Sequence, residues 1–477
     1  MTPEEFRSAA HALVDWVADH RLRLETLPVK AQVGPGEVKS QLPAEPPEGG
    51  ESITALLADL EQIIVPGITQ VQHPMHFGWF PSNASLASVL GDIASGGLGS
   101  LGISWESSPA LTEVEEVVCA WMRQLLGLSE QWQGTIVDTA SSACLVALLV
   151  ARERASEFSK DRGGLQSVQQ PLVVYTTEQA HSSVIKGALL AGFGEDNVRR
   201  VGTDSQSHAM RPDLLRTAIE EDIAAGRKPA AIIATVGTTG VTAMDPVAGI
   251  VHIAGNYDCW VHVDAAMAGS AMLLRECRWM WQGVEGADSI SLNPHKWMGT
   301  ILDCSLLYVR DPKALTDVLS SNPPYLRSEV DDEVVQYRDW GIPLGRRFRA
   351  LKLWFHLRID GPGAIRERLR QDLENATWFA EQVSRTPNWN LAAPVHLQTV
   401  CVEHNPGDSD WSAQQLSAHN RQWVERLNAS GKAFLSVTEL AGKTIVRVSI
   451  GVEGSDRTHL EQLWQLMQQH AQDHAKS

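Results

Sequence analysis

Cysteine is scarce in this sequence and never falls into a recognised motif. The six cysteines, at positions 119, 144, 259, 277, 304 and 401, are spread along the chain without a CxxC pair. Structural zinc sites and redox pairs need closely spaced thiols, and small secreted domains need a dense disulfide framework. We therefore predict buried thiols and no metal site.

Excess positive charge and long apolar runs are also missing. The chain has 40 lysines and arginines against 57 acidic residues, a formal net charge of −17, and no basic stripe interleaved with aromatics. Such a chain repels phosphate backbones and anionic membranes, which argues against nucleic acid and membrane partners. No run is long enough to span a bilayer, and the first residues, MTPEEFRSAAHALVDWV, are acidic where a signal peptide is basic. We expect a cytoplasmic protein.

The composition is that of an ordinary globular protein. With 477 residues, 43% apolar and 20% charged, the chain suits two or three domains. Thr2, Pro3 and Glu5 form a capping-box pattern that predicts a helix from the N-terminus. The proline- and glycine-rich residues 34–52 that follow predict an extended connection. It could reach over a neighbouring subunit or lie as a flap on its own chain.

Two patterns of elements follow one another along the chain. From about residue 135 to 310, short apolar runs such as PLVVYTT, AAIIATVGTT and CWVHVDAA alternate with helical stretches. Runs apolar on both faces predict an α/β fold whose mainly parallel sheet carries helices on both faces. After about residue 355, helices at 362–386, 410–430 and 456–474 and a hairpin in AFLSVTELAGKTIVRVSIG predict a small C-terminal α+β domain. We place the domains at 1–85, 86–354 and 355–477.

A lysine stands at the carboxyl end of one predicted strand, in SLNPHKWMG. Taken alone, Lys296 could be an exposed or snorkelling residue, or a lysine that forms a Schiff base. Asp264, at the end of the neighbouring apolar run in HVDAAMAG, favours the second interpretation. Pyridoxal phosphate needs an amine for its aldehyde and an anion for its ring nitrogen. Together the two residues indicate that cofactor.

The cofactor's phosphate and ring also find candidate partners. In TASSACLVALLVARERA, Thr139, Ala140, Ser141 and Ser142 precede an unbroken helical pattern, so the first backbone N–H groups could hold an anion, although serine or threonine there is more often a simple cap. His181 follows the strand PLVVYTT. A histidine in this position is commonly structural, but beside a cofactor ring it could stack on it.

Several separated motifs resemble one enzyme family. NPHKW, HVDAAMAGSA, AHSSV, GTT, SWESSPALTEVE and DWGIPLGRRFRALKLWF resemble the pyridoxal-phosphate-dependent group II decarboxylases, of the aromatic-L-amino-acid (dopa) decarboxylase type. The resemblance covers almost the whole chain and implies the pyridoxal-phosphate-dependent transferase fold type I. It implies that Lys296 binds the aldehyde, Asp264 pairs with the pyridine nitrogen and His181 stacks over the ring. It also implies further cofactor-binding residues: Ala140, Ser141, Thr239, Ala266, Asn293 and His295.

The resemblance extends to the substrate and the product. It implies that Trp79, Phe80, Ser82, Leu101 and Ile103 line an aromatic pocket, the last two reaching in from the partner subunit of a homodimer. Ile103 and Met267 depart from the phenylalanine and tyrosine of many animal members, so the choice among dopa, tyrosine, tryptophan and 5-hydroxytryptophan stays open.

Tyr325, in the predicted lid SSNPPYLRSEVDD, matches the family's proton donor and favours an amine product. Without the family, it would be interpreted as a tyrosine that merely packs after two prolines. The alternatives are an aromatic aldehyde synthase, a catalytically inactive binding protein on the same fold and an aminotransferase.

Overall fold

The computed structural model describes residues 1–320, 330–331, 333–407 and 411–475. Its helices are α1 (Pro3–Leu22), α2 (Glu37–Gln41), α3 (Ile53–Asp59), α4 (Leu86–Leu98), α5 (Pro109–Leu126), α6 (Ala140–Ala155), α7 (Ser182–Leu190), α8 (Pro212–Ala224), α9 (Val247–Gly255), α10 (Lys313–Leu319), α11 (Ala350–Ile359), α12 (Gly361–Arg385), α13 (Ala413–Ala429) and α14 (Arg457–Ala475). Its strands are β1 (Gln133–Val137), β2 (Leu172–Thr177), β3 (Val198–Val201), β4 (Lys228–Thr235), β5 (Trp260–Asp264), β6 (Ser289–Leu292), β7 (Ser305–Val309), β8 (Trp389–Leu391), β9 (Thr399–His404), β10 (Ser436–Leu440) and β11 (Lys443–Ser449).

Contacts divide the chain into two compact units. The first contains Met1–Pro81, Thr377–Ala392 and Val400–Ser477, and the second contains Ser82–Ala376 and Ala393–Thr399. The three domains expected at 1–85, 86–354 and 355–477 stay a prediction.

A seven-stranded sheet forms the centre of the second unit. Its order is β1-β7-β6-β5-β4-β2-β3, and the neighbours from β6 to β3 are parallel, whereas β7 is antiparallel to both β6 and β1. Strands β2, β5, β6 and β7 are buried along their whole length, as expected for a sheet covered on both faces. Helix α6 packs on the adjacent strands β4, β5, β6 and β7. Helix α8 packs on β3 and β4, and α9 packs on β4 and β5. The predicted α/β fold is confirmed.

The first unit holds the smaller sheet, in the order β10-β11-β9-β8. The predicted hairpin is β10 and β11, paired antiparallel, and the three predicted long helices are α12, α13 and α14 within a few residues at each end. The capping box of α1 is present as expected: Thr2 Oγ1 accepts from the Glu5 N–H, and the Glu5 carboxylate accepts from the Thr2 N–H.

Three further observations concern the cysteines, membrane-spanning helices and metal-binding groups of the described residues. All six cysteines are free and buried. No helix in the described part of the chain is long and apolar enough to cross a membrane. In the same residues, no group of three or more histidine, cysteine or acidic side chains is arranged to hold a metal ion.

Candidate active site

Three parallel strands of the second unit end side by side and place the principal candidates at one edge of the sheet. In the register of the sheet, Thr235 of β4 pairs with Asp264 of β5, which in turn pairs with Ser291 of β6. Lys296 follows β6 by four residues. In sheets of this kind, ligands bind beyond the carboxyl ends of the strands.

Lys296 lies in a tight turn that the surrounding chain holds in place. The turn spans Pro294–Met298, and Lys296 itself leaves helical geometry with φ −99° and ψ −120°. Its N–H donates to the Asn293 carbonyl at 3.0 Å. The Trp297 indole donates to Asp372 at 2.8 Å, and Arg368 donates to the Trp297 carbonyl at 2.6 Å. The half-buried lysine therefore projects from an anchored backbone.

Asp264 is the last residue of β5 and is 5% exposed. One carboxylate oxygen, Oδ1, accepts the N–H of Ala266 at 3.0 Å, which fixes the orientation of the carboxylate. Its charge raises the pKa of the Cys144 thiol in α6, where burial is the larger cause. A buried anion at a strand end suits a cationic partner.

His181 precedes α7, and its ring is oriented by Ser183. Nδ1 lies 2.8 Å from Ser183 Oγ and accepts the Ser183 N–H at 3.2 Å, so the neutral ring carries its proton on Nε2. The His181 side chain is partly exposed, but partial desolvation lowers its pKa, the Lys296 ammonium lowers it further, and the Asp264 carboxylate opposes both. The structure thus places both Lys296 and Asp264 within electrostatic reach of His181, whose imidazole is mostly neutral at pH 7.

An open helix terminus lies among the predicted phosphate partners. The residue before α6, Thr139, makes no side-chain capping bond, and Ser141 in the first turn is exposed. The N–H groups of that turn are therefore available to an anion, which the helix dipole also favours.

Asn293 and His295 are both buried, and one hydrogen bond orients each side chain. Asn293 Oδ1 accepts from Ser305 Oγ at 2.6 Å, and His295 Nδ1 accepts from the Cys304 N–H at 3.0 Å. Burial, aided by the Lys296 charge, lowers the pKa of His295 to about 4. The neutral His295 ring consequently carries its proton on Nε2, where it can donate.

The remaining cofactor candidates lie on the loops after the strands. Thr239 is half-buried in the loop after β4, where the Thr238 hydroxyl accepts the Ala243 N–H at 2.9 Å. Ala266, after β5, accepts the Asn293 N–H on its carbonyl at 2.9 Å. That bond ties the loop of Asp264 to the turn of Lys296.

The predicted substrate residues are divided between the two units. Trp79 and Phe80 belong to the first unit: the Trp79 ring lies 4.8 Å from that of Phe434, and the Arg447 guanidinium lies 4.9 Å from the Phe80 ring centroid. Ser82 belongs to the second unit, as do Leu101 and Ile103 on the loop between α4 and α5. Ser107 fixes that loop through the Leu101 carbonyl and the Ile103 N–H. Tyr325 lies outside the described residues.

Sequence reasoning missed a buried cation next to the predicted phosphate partners. Lys352 of α11 is 1% exposed and lies 3.1 Å from Asp92 and 3.6 Å from Asp303. Its charge contributes to the lowered pKa of His295. The signal was a lysine between Leu351 and Leu353 in an apolar helical stretch.

Comparison with known proteins identifies the family. The pyridoxal-dependent decarboxylase conserved domain matches residues 35–404. The chain belongs to this family. It is 39% identical over 480 residues to phenylacetaldehyde synthase of Arabidopsis thaliana, covering 99% of this chain and 96% of the relative. It is also 39% identical to tyrosine decarboxylase 4 of Petroselinum crispum, covering 99% and 94%. The structure of Oryza sativa TDC with PLP and tryptamine superposes with a TM-score of 0.96 at 34% identity, covering 99% of each chain.

The decarboxylase's own residues fit its cofactor, pyridoxal phosphate. The amine of Lys296, the buried carboxylate of Asp264 and the uncapped start of α6 have the chemistry that the aldehyde, the ring nitrogen and the phosphate would require respectively. Membership of the family makes the chain a carboxy-lyase that uses this cofactor.

Proposed function

We propose that this chain decarboxylates an aromatic L-amino acid to the corresponding amine and carbon dioxide. The observation that carries the proposal is the convergence of an amine, a buried carboxylate and a neutral imidazole beyond the carboxyl ends of β6, β5 and β2. These groups belong to Lys296, Asp264 and His181. Relatives named as tyrosine decarboxylases at 39% identity support the reaction and the aromatic substrate.

The cofactor, when bound, supplies an electron sink for the pair released as the carboxyl carbon leaves. Lys296 would hold its aldehyde carbon, Asp264 would keep its ring nitrogen protonated and His181 would lie against its ring. Ala140, Ser141, Asn293 and His295 hold its phosphate, and Thr239 and Ala266 flank it.

The neutral state of His181 supports loss of carbon dioxide in particular. A cation beside the substrate carboxylate would stabilise the reactant more than the transition state, in which that charge disperses, and would slow the step. Without the cofactor, partial desolvation and the Lys296 ammonium both lower the pKa of His181, and desolvation still acts once Lys296 holds the aldehyde. We assign to Tyr325 the role of proton donor to the α-carbon.

The substrate preference rests on aromatic and aliphatic side chains. Trp79 and Phe80, and from a partner subunit Leu101 and Ile103, offer apolar surface to a flat ring, with Ser82 beside it. An acidic side chain would lose water without gaining a partner on such surfaces. Changes of single groups in an apolar pocket discriminate by only ~1–3 kcal/mol, so several aromatic amino acids should be accepted.

An aromatic aldehyde synthase is the second candidate. The observation in its favour is that the relative named phenylacetaldehyde synthase is 39% identical to this chain, the same as the tyrosine decarboxylase. Tyrosine at position 325 favours the amine, because a positioned acid that protonates the carbon leaves oxygen less opportunity to react.

We also infer a homodimer that acts in the cytoplasm. None of the residues of α1 is buried, and its Phe6, Leu13 and Val14 are exposed, as are Leu86 and Ile93 of α4. Exposed apolar helix faces are typical of subunit interfaces. Six free thiols suit a reducing compartment. Light scattering of the purified protein tests the dimer, and cell fractionation tests the location.

One experiment distinguishes the candidates. The holoenzyme is incubated with tyrosine, dopa, tryptophan, 5-hydroxytryptophan and glutamate, and carbon dioxide, amine, aldehyde and peroxide are measured. We expect amine and carbon dioxide in equal amounts from aromatic substrates, and almost none from glutamate. Aldehyde with equimolar peroxide would select the synthase, and absence of turnover with every aromatic substrate would overturn the proposal.

A further inference from the structure

A cavity of about 840 Å³ lies in the second unit, and none of the residues assigned to the active site lines it. Its wall is built by the last turns of α5, the segment Leu273–Arg278 and the junction of α11 with α12. This volume is within the range of small-molecule sites.

Five arginines line this cavity, although the chain carries a net charge of −17. Among the described lining residues the only carboxylate is Glu276, which lies 2.7 Å from Arg370 and pairs with it. The five guanidinium groups belong to Arg275, Arg278, Arg358, Arg366 and Arg370. The cavity is therefore strongly positive.

Backbone carbonyls, rather than carboxylates, hold two of these arginines. Arg278 donates to the carbonyls of Met272 at 3.1 Å and Leu125 at 2.8 Å, and Arg366 donates to the Leu273 carbonyl at 3.1 Å. Arg278 also stabilises the carboxyl end of α5, and this contact explains why the Arg278 side chain lies there. Carbonyls orient the guanidinium groups without neutralising them.

Like charges therefore accumulate in the cavity. Within the described ranges, neither Arg275 nor Arg358 nor Arg366 has a carboxylate within ion-pair distance. Burial lowers the pKa of Arg278, and the charges of Arg275 and Arg366 lower it further, so the three guanidinium groups repel one another. Such repulsion is relieved when an anion binds between them.

The same cavity offers apolar surface for the rest of a ligand. Trp121 of α5 is 37% exposed, and Leu125, Leu273 and Leu357 complete an apolar wall beside the arginines. We propose that this cavity binds an organic phosphate of nucleotide size, with its phosphates on Arg275, Arg358 and Arg366 and its ring on Trp121. Guanidinium groups bind phosphate oxygens in pairs, and indole presents a flat surface for stacking.

Calorimetric titration of the holoenzyme tests this site without relying on turnover. The probes are adenosine triphosphate, pyridoxine 5′-phosphate, which lacks the reactive aldehyde, and adenosine. We expect binding of at least one of the two phosphates and none of adenosine. The substitutions R275Q and R358Q should each weaken phosphate binding about tenfold. The matched control is R216Q, because Arg216 is exposed on α8 and outside the cavity.

The two phosphates distinguish the sources of the ligand. If only adenosine triphosphate binds and its binding depends on the arginines, the ligand is a nucleotide. If pyridoxine 5′-phosphate binds in an arginine-dependent way, the cavity is a second site for the cofactor's own chemical class. Phosphate binding that R275Q and R358Q leave unchanged would overturn the proposal. If no probe binds, the proposal is wrong, and a change of oligomeric state in R275Q/R358Q would then identify the cavity as a protein contact.

Discussion

The Lys296 ammonium lowers the pKa of the His181 imidazole, and only partial desolvation of the ring is a larger cause of that shift. Asp264 acts on the same ring with the opposite sign. His181 thus reports the charge of both of its neighbours. Removal of the Lys296 charge should raise the pKa of His181, and removal of the Asp264 charge should lower it, whether or not the enzyme turns over.

Replacement of Lys296 by alanine should abolish decarboxylation and raise the pKa of His181. The amine proposed to hold the cofactor aldehyde is lost, and the ammonium that disfavours the imidazolium is removed with it. Amine formation and a histidine NMR titration of the apoenzyme measure the two effects. K186A, which removes an exposed lysine of α7, should change neither. Retention of turnover by K296A would overturn the assignment.

Replacement of Asp264 by asparagine should lower the pKa of His181 further, because the carboxylate favours the charged ring. Turnover should fall by about 10²–10³-fold, the usual cost of removing one preorganised electrostatic contact. The measurements are kcat for amine formation and the same NMR titration. D213N, at an exposed ion pair with Arg211, is the control and should behave as wild type. A rise in the His181 pKa would contradict the structure.

The sequence predicted the sheet and its strand-end residues because those features are local. Lys296, Asp264 and His181 each follow an apolar run, and parallel strands bring the ends of such runs together. The buried Lys352 was missed since its partners Asp92 and Asp303 are distant in sequence. Its burial depends on packing between α4 and α11, and its apolar neighbours Leu351 and Leu353 were the local signal for that burial.

The division of the substrate residues could not be predicted for a similar reason. Trp79 and Phe80 pack on Phe434 and Arg447, more than 350 residues later in the chain, and so belong to the first unit. Ser82, two positions further, belongs to the second. Composition does not change at that boundary, so the sequence placed residues 1–85 in one segment.

The pH profile should follow the neutral form of His181. Since its pKa lies below the ordinary 6.5, the ring is mostly uncharged at pH 7, and the acid limb of kcat/KM should be centred below pH 6.5. At lower pH the ring gains a proton, the reactant carboxylate is stabilised and the rate should fall. H181Q should lack this acid limb, whereas H252Q, at an exposed histidine of α9, should keep it. An acid limb centred above pH 6.5 and lost in H181Q would contradict this prediction.

Substitution of Tyr325 by phenylalanine should change the product rather than abolish turnover. Loss of the proposed general acid should slow protonation by about 10²–10⁴-fold, which gives oxygen time to react. Aldehyde and peroxide should then exceed amine in the product mixture. Y257F, which removes a hydroxyl that donates to Glu220 on the surface, should leave the product unchanged. Unaltered amine formation by Y325F would mean that another group donates the proton.

Two glycines of α4 should respond oppositely to alanine. A Cβ at Gly91 would lie 2.7 Å from both the Leu351 carbonyl oxygen and Lys352 Cα, whereas a Cβ at Gly96 would meet no atom within 4 Å beyond its adjacent residues and the nearby backbone of its own helix. Since α11 cannot move without disturbing Lys352, G91A should destabilise the fold by about 1–3 kcal/mol. G96A should stabilise the fold by up to about 1 kcal/mol, because alanine favours a helix more than glycine does. Thermal unfolding of both holoenzymes measures the difference, and equal midpoints would contradict the close packing of α4 on α11.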